Sequence, residues 1–401
     1  MPTIVIAGCG FGGASVALSL ARRLGKKAKI VAIDRTSSFD YHATLPELAS
    51  GKVEEKDITV PYADLFRGKP IKFVRDEIKS IDRKSSTVSC SKSKFKYDYL
   101  VLSLGSETNF FNIKGAKENS MQLKSFSGAN LIREKALGLC MRKKSFSVSI
   151  VGGGLSGIEL ACEMADLQKR QECAGCKIKI TVIDRSSHLH ASLSEEAGRH
   201  MEARMRAIGI SLIQGAQAEA VFPNIIALSG GKKIMSDMTI WCAGIMPPSV
   251  VENIAGDSYD TRCGMVLNQY LQCIGDGHIY CLGDCGWCSA FEGKPILTAL
   301  RAIEQSDWVS HNLYCDIAGK PLSKLPYNPR RFPTFVSLGG GYGLLDFNGM
   351  WMAGPHAYWL KKLGEKIHMA RFRHRLEFLE LADEIFLSFI EFIFWFKLWG
   401  K

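Results

Sequence analysis

The chain has no apolar run that approaches the roughly 20 residues a membrane-spanning helix requires, so it is not expected to cross a bilayer. An export signal is also not expected, since no basic n-region and apolar h-region precede the strand-like residues that begin at Thr3. Its 13 cysteines are therefore expected in a reducing compartment, mostly as small buried apolar groups. Cysteine is absent from the last 86 residues, after Cys315. No nucleic-acid recognition motif accompanies the basic residues, so the net charge of +11 is not read as a nucleic-acid footprint. Anionic ligands or an anionic membrane surface remain as partners.

What is present is an ordinary globular composition, 46% apolar and 23% charged, in 401 residues that suggest two or three domains. Thr3–Ala7 reads as a buried strand that enters the turn Gly8-Cys9-Gly10-Phe11-Gly12-Gly13. A helix follows, with Val16, Leu18, Leu20 and Leu24 at apolar spacing, then a strand over Lys29–Ile33 that ends on Asp34. Each part has a chemical reason. Gly8 permits the tight turn, Gly10 lets a pyrophosphate reach the backbone, and Gly13 lets helix and strand close up. The helix N-terminus offers N–H groups and the positive end of its dipole to the phosphates. Asp34, 21 positions after Gly13, is placed to accept from ribose hydroxyls.

The pattern recurs 144 residues later as Gly152-Gly153-Gly154-Leu155-Ser156-Gly157, a helix, and a strand that ends on Asp184. The polar stretch KRQECAGCK lengthens this second helix-to-strand connection. Two such units imply two dinucleotides on one chain. An acid at the second strand end suits a free 2′-hydroxyl, hence NADH over NADPH, with Arg185 beside it.

Two further pieces complete the order. Lys96–Ser106 reads as a buried strand that ends at Gly105, and His278–Cys288 as a strand that runs into Gly283-Asp284. Over roughly residues 1–325 the set resembles the two-dinucleotide flavoprotein family. That resemblance implies FAD on the first unit, NAD(P)H on the second, and the Asp284 carboxylate on the ribityl chain of the flavin. The segment Leu297–Leu313 is similar to the helix beneath the flavin ring in type II NADH:quinone oxidoreductases, matching at Ala299, Ala302 and Gln305 and departing at Leu300 and Glu304. Ser38–Tyr62, with Leu45-Pro46, resembles that family's loop near the flavin. Thr239–Ser249, with Gly244, resembles its return to the flavin domain. Glu159 matches a glutamate placed near nicotinamide and quinone; the plainer reading is an acid in the first turn of a helix, favoured by the dipole.

The expected fold is α/β, with two Rossmann-like dinucleotide-binding domains of the glutathione-reductase-like kind, the second inserted in the first. The divisions are 1–112 and 255–325 for FAD, 113–254 for NADH, and 326–401 for a C-terminal amphipathic membrane-association region. Glu159, Glu304 and Gln305 are the candidate catalytic residues. Candidate cofactor contacts are Gly8, Gly10, Phe11, Gly12, Gly13, Asp34, Arg35, Leu45, Pro46, Gly105, Gly283, Asp284 and Ala299 for FAD, and Gly152, Gly154, Gly157, Asp184 and Gly244 for NADH.

Two CxxC pairs, Cys173/Cys176 and Cys285/Cys288, carry metal or redox-dithiol readings against the plainer one of incidental thiols. The resemblance sets the dithiol reading aside for the second pair, because Cys285 follows the acid implied at the ribityl chain. For the first pair a local metal site or disulfide stays open. Sulfide:quinone oxidoreductases share the scaffold but need a pair of cysteines across the flavin ring, one of them late in the chain, and no cysteine follows Cys315.

The end of the chain is unusual. Between Ile385 and Trp399 only Ser388, Glu391 and Lys397 are polar, while Lys361–Arg375 holds six Lys/Arg against one Glu. Glu377, Glu380, Glu384, Ser388 and Glu391 would form one polar stripe of a helix. At ~1.5 Å per residue the apolar part is about 22 Å long, too short to span a bilayer. It suits an interfacial position, with Trp395 and Trp399 at the headgroups and the basic run on anionic lipid. Packing on the core or on a second subunit is the alternative. These pieces suggest a non-pumping NADH:quinone oxidoreductase, peripheral on the cytoplasmic face of a membrane and homodimeric. The rival readings are a soluble flavoprotein reductase of a small ferredoxin- or rubredoxin-type protein, and an NADH-sensing flavoprotein.

Overall fold

The computed structural model describes residues 1–189, 193–261, 263–288, 297–374, 385–386 and 388–390. Two compact units share the chain. The first comprises Met1–Asp40, Thr59–Glu107 and Ile245–Arg331; the second comprises Tyr41–Ile58, Thr108–Gly244 and Phe332–Lys401.

The first unit is organised by a six-stranded sheet in the order Gln272–Cys273, Asp276–Cys281, Tyr99–Leu102, Thr3–Ala7, Lys29–Asp34, Ile71–Arg75. All neighbours are parallel except the edge pair of Gln272–Cys273 with Asp276–Cys281. A parallel sheet is covered on both faces, which is why its central strands read TIVIA and YLVL with no polar alternation. The helix Phe11–Leu24 packs against the helix Ala299–Ile317, with Val16, Leu20, Val309 and Leu313 buried.

In the second unit the parallel sheet runs Met121–Gln122, Met238–Trp241, Ser145–Val151, Lys177–Ile183, Ser211–Ile213. Each unit also carries a three-stranded antiparallel meander just before its return strand, at 78–96 in the first and 218–235 in the second. Downstream, Thr334–Ser337, Gly343–Phe347 and Met350–Gly354 form an antiparallel sheet. A tight turn sits at Asn348-Gly349, both with positive φ (53° and 81°). The helix Pro355–His374 packs on that sheet, and Phe386 and Ile390 join Leu345, Ala357 and Leu360 in its core.

Among the described residues no helix is long and apolar enough to cross a membrane. Of the expected terminal stripe only Ser388 is described; Glu377, Glu380, Glu384, Glu391, Trp395, Lys397 and Trp399 lie outside the described residues.

Candidate dinucleotide sites and buried charges

The two glycine turns share one construction. The Gly8 N–H donates to the Ile33 carbonyl at 2.9 Å and the Gly152 N–H to the Ile183 carbonyl at 2.8 Å, so each turn hangs from its neighbouring strand. A Cβ on Gly13 would lie 1.9 Å from the Gly8 carbonyl oxygen, and one on Gly157 2.1 Å from that of Gly152. Only glycine permits that approach. Gly10 and Gly154 are the reverse case: both are exposed and an added Cβ would meet nothing within 4 Å. They are the N-caps of helices of 14 and 13 residues, with no side-chain cap and no acid in the first turn. Open N–H groups at an uncapped, acid-free helix start suit the diphosphate of a dinucleotide.

The acids at the strand ends are fixed beside the turns. Asp34 accepts the Cys9 N–H at 2.8 Å and, on its other oxygen, the Thr36 N–H at 2.9 Å and hydroxyl at 2.8 Å. Asp184 accepts the Gly153 N–H at 2.6 Å and the Ser186 N–H at 2.7 Å. Each carboxylate keeps acceptor capacity for a ribose hydroxyl. Gly12 is buried in its turn, Phe11 sets its ring edge-on to Phe39 at 5.1 Å, and Arg35 is exposed.

Asp284 follows Gly283, whose φ is 70°. The Ser106 hydroxyl, next to Gly105, donates to the Asp284 carboxylate at 2.6 Å. The Gly283 N–H donates to Gln305 Oε1 at 2.7 Å, and a Cβ on Gly283 would meet the Ala302 methyl at 3.3 Å. Gln305 is thus a buried side chain that sets the position of the Gly283-Asp284 turn. The Thr298 hydroxyl caps this helix by accepting the Arg301 N–H at 3.2 Å, which places Ala299 at its first position. Glu304 is fully engaged: Arg301 Nη1 at 2.5 Å, the Tyr327 hydroxyl at 3.1 Å and the Arg330 N–H at 2.7 Å all donate to it.

Glu159 lies in the second unit and is not a first-turn acid. Its helix begins at Leu155 with no acid in the first turn, so the dipole does not account for it. Its carboxylate accepts from the Lys361 ammonium and from the Ser337 N–H at 2.8 Å. Burial pushes the Glu159 carboxyl above its ordinary value, against the pull of Lys361. Burial alone would lower Lys361, yet Glu159 and Glu365 hold it above its ordinary value. The pairing continues from Lys361 to Glu365 at 3.4 Å, from Glu365 to Lys362 at 2.7 Å, and from Lys362 to Glu47. Lys52 lies 3.9 Å from Glu47 and 2.9 Å from Glu163, which also accepts the Ser50 hydroxyl at 3.0 Å. This corrects the reading of 361–375 as a continuous lipid-facing basic run: Lys361 and Lys362 are neutralised inside the fold, and Arg375 lies outside the described residues. Sequence reasoning missed both lysines as partners of Glu159 and Glu47, since their pairing crosses 202 positions in the first case and no local pattern signals it.

Leu45 and Pro46 begin a buried turn of helix, Leu45–Ala49, that packs on Phe126–Arg142 and Leu155–Leu167 in the second unit. Gly244 accepts the Asn109 N–H at 3.0 Å and leaves room for the Phe111 ring, which a Cβ would meet at 2.7 Å.

A family model for pyridine nucleotide-disulphide oxidoreductases matches residues 2–305. The chain belongs to that family. As a member of it, the protein is 24% identical to a type II NADH:quinone oxidoreductase of Haemophilus influenzae, across 84% of this chain and 85% of that one. Its fold is similar to NDH2 from Plasmodium falciparum, solved in complex with NADH (TM-score 0.80, 17% identity, 93% of this chain and 98% of that one). It is equally similar to the sulfide:quinone oxidoreductase of Aquifex aeolicus (TM-score 0.81, 23% identity, 96% of each).

The cysteines depart from both CxxC pairings. Cys173 forms a disulfide with Cys140, not with Cys176, an exception among cysteines that are otherwise mostly buried. Cys285 lies against Cys281, Sγ to Sγ 3.7 Å, while the Cys288 thiol donates to the Asn268 carbonyl at 3.4 Å.

Proposed function

We propose that this oxidoreductase oxidises NADH and passes two electrons to a membrane quinone through bound FAD, without pumping protons. The reading rests chiefly on one observation: two uncapped glycine turns, each closed by an acidic strand end held within 2.8 Å of a turn N–H. The name of the Haemophilus relative supports the donor and the acceptor. Gly8–Gly13 and Asp34 would hold the diphosphate and ribose of FAD, and Asp284, aligned by Ser106 and Gln305, its ribityl chain. Gly152–Gly157 and Asp184 would hold NADH, with the acid favouring a free 2′-hydroxyl. Bound FAD supplies the two-electron chemistry; the chain supplies orientation, shielding and protons.

Of the candidate acids, Glu159 is the one proposed to exchange a proton with quinone. Its pair with Lys361 sits in a cluster of four carboxylates (Glu47, Glu159, Glu163, Glu365) and three ammonium groups (Lys52, Lys361, Lys362), which leaves one carboxylate in excess. Glu304, taken up by Arg301, Tyr327 and Arg330, is proposed to anchor its helix instead.

For the membrane, the support is exposed apolar surface. Trp359, Ile385 and Phe389 are 60%, 59% and 47% exposed at the C-terminal end of the second unit, with Lys366 and Arg373 also exposed. We place this surface on the cytoplasmic leaflet of a bilayer. A second copy of the chain is its other occupant, and liposome flotation against sedimentation of the lipid-free protein separates the two.

The deciding experiment is anaerobic. NADH should bleach the visible flavin band, and a soluble quinone analogue should restore it within the turnover time. Bleaching that a small iron–sulfur protein reverses and quinone does not would select a soluble reductase instead. Bleaching by sulfide and not NADH would select the sulfide-oxidising reading.

A further inference from the structure

The Gly283-Asp284 turn carries a feature that electron transfer from NADH does not use. Cys281 closes the strand Asp276–Cys281, and Cys285 closes the single 3-10 turn Gly283–Cys285. Both side chains are fully buried, and their sulfurs face each other at 3.7 Å, the Cys281 thiol donating. Gly283 and Asp284 between them are half-buried, so the buried pair lies directly beneath partly exposed backbone. Gly286 leaves the space the Cys281 sulfur occupies; a Cβ there would lie 2.6 Å from it.

We propose that Cys281 and Cys285 are a peroxide-oxidisable dithiol whose reversible disulfide loosens the hold of Asp284 on the flavin. The coupling rests on the flavin reading above; the pair itself does not. A disulfide brings sulfurs to ~2.05 Å, so closing the pair moves them together by about 1.6 Å. The only residues between them are Leu282, Gly283 and Asp284. That displacement falls on the bonds from Ser106 to Asp284 and from Gly283 to Gln305, which register the carboxylate.

Cys285 is the nucleophile. The Cys281 S–H and the backbone N–H groups of Leu104 and Gly105 pull its thiol below the ordinary value, against the burial that raises it. Burial and Cys285 itself push Cys281 well above. The Cys285 thiolate attacks hydrogen peroxide: an S–O bond forms, the O–O bond breaks, and one water leaves with a proton from solvent. The Cys281 sulfur then displaces the second oxygen as water, forming the S–S bond. Two thiols and one peroxide give one disulfide and two waters, sulfur losing the two electrons that oxygen gains. A thiol reductant reverses it.

The test uses the holoenzyme as purified. It is treated with a few equivalents of hydrogen peroxide, its remaining thiols are alkylated, and the peptides are mapped while flavin passing an ultrafilter is measured. A Cys281–Cys285 cross-link, flavin retention weakened about tenfold, and recovery with dithiothreitol are expected. Cys281→Ser should keep untreated turnover and retain flavin through peroxide, and Cys281→Ala repeats the test should the serine prove poorly folded. Alkylated Cys281 and Cys285 after treatment, or a cross-link with unchanged flavin retention, overturns the proposal. So does flavin loss from the serine variant equal to that of the natural chain. A chain that never holds flavin defeats the earlier reading and the coupling with it, and the peptide map still reads the dithiol.

Discussion

The two glycine-turn helices start alike and continue differently. Phe11–Leu24 buries Ala14, Val16, Ala17, Leu20 and Leu24 with Ser15 and Ser19 but no charged side chain, and packs on Ala299–Ile317. Leu155–Leu167 buries Ile158, Leu160 and Met164, and with them the carboxylates Glu159 and Glu163. The cradle geometry is set by what a diphosphate needs, so it is the same twice. The body of the helix is free to serve another end, and in the second unit it carries charge out of water, which is unfavourable unless paired. The difference separates a helix with no buried charge from one that also holds two buried carboxylates, Glu159 among them, the group proposed to exchange a proton.

The shared part breaks most severely. Gly13→Val and Gly157→Val should each destabilise their unit by about 5 kcal/mol or more, because the new side chain meets a backbone carbonyl that cannot move aside. Thermal melts should show it, with flavin lost from the first variant. Gly10→Ala meets no protein atom, so its melt should be nearly unchanged in the absence of flavin while flavin retention falls. If Gly10→Ala unfolds the protein instead, the open cradle is wrong.

The part that differs comes next. Lys361→Met strands the Glu159 carboxylate and should destabilise the second unit by about 3 kcal/mol. The sign of its pH dependence follows from the raised Glu159 carboxyl. A group raised in the fold contributes stability that is full below its unfolded value and lost as pH rises through the folded one. Denaturant midpoints should therefore separate variant from natural chain more at about pH 8 than at about pH 5. An equal gap at both would remove Glu159 as the stranded group.

Glu159→Gln sharpens the functional side. Flavin bleaching by NADH should persist and reoxidation by quinone should slow about tenfold, a barrier change of ~1.4 kcal/mol. Bleaching that slows equally would shift the role of Glu159 to the donor side.

The smallest effect is at the start of the strand Met238–Trp241, where Asp237 accepts from the Ser147 N–H at 2.8 Å and from Lys143. Burial opposes it, but these bonds hold its carboxyl down at about 2. Its stabilisation is therefore present at neutral pH and fades as pH falls from about 4 toward 2. The side chain is 28% exposed, and solvent screening reduces the contribution to about 1 kcal/mol. Asp237→Asn should show that loss at pH 7, roughly half of it at about pH 3 and little at about pH 2 or below.

Legibility followed locality. Gly8 through Asp34 and Gly152 through Asp184 are consecutive pieces whose geometry is written in neighbouring residues, and their turns formed as read. Gln305 and Glu304 were placed on the right helix, but what they touch depends on Gly283, Arg330 and Tyr327, which no spacing rule connects to them. The CxxC spacing relates Cys285 to Cys288, whereas the backbone turn at Gly283 brings Cys281 round to Cys285. Cys173 likewise found Cys140, 33 residues away on another helix.

By itself, then, the sequence determined the two nucleotide cradles and the parallel sheets around them, because glycine sterics and continuous apolar strands act over a few residues. Tertiary structure alone decided which charges are buried together. A lysine-rich helix reads the same whether its cations face water or a carboxylate. Lys361 and Lys362 became internal only because Pro355–His374 packs where Glu159, Glu365 and Glu47 hold carboxylates that burial would otherwise leave unpaired.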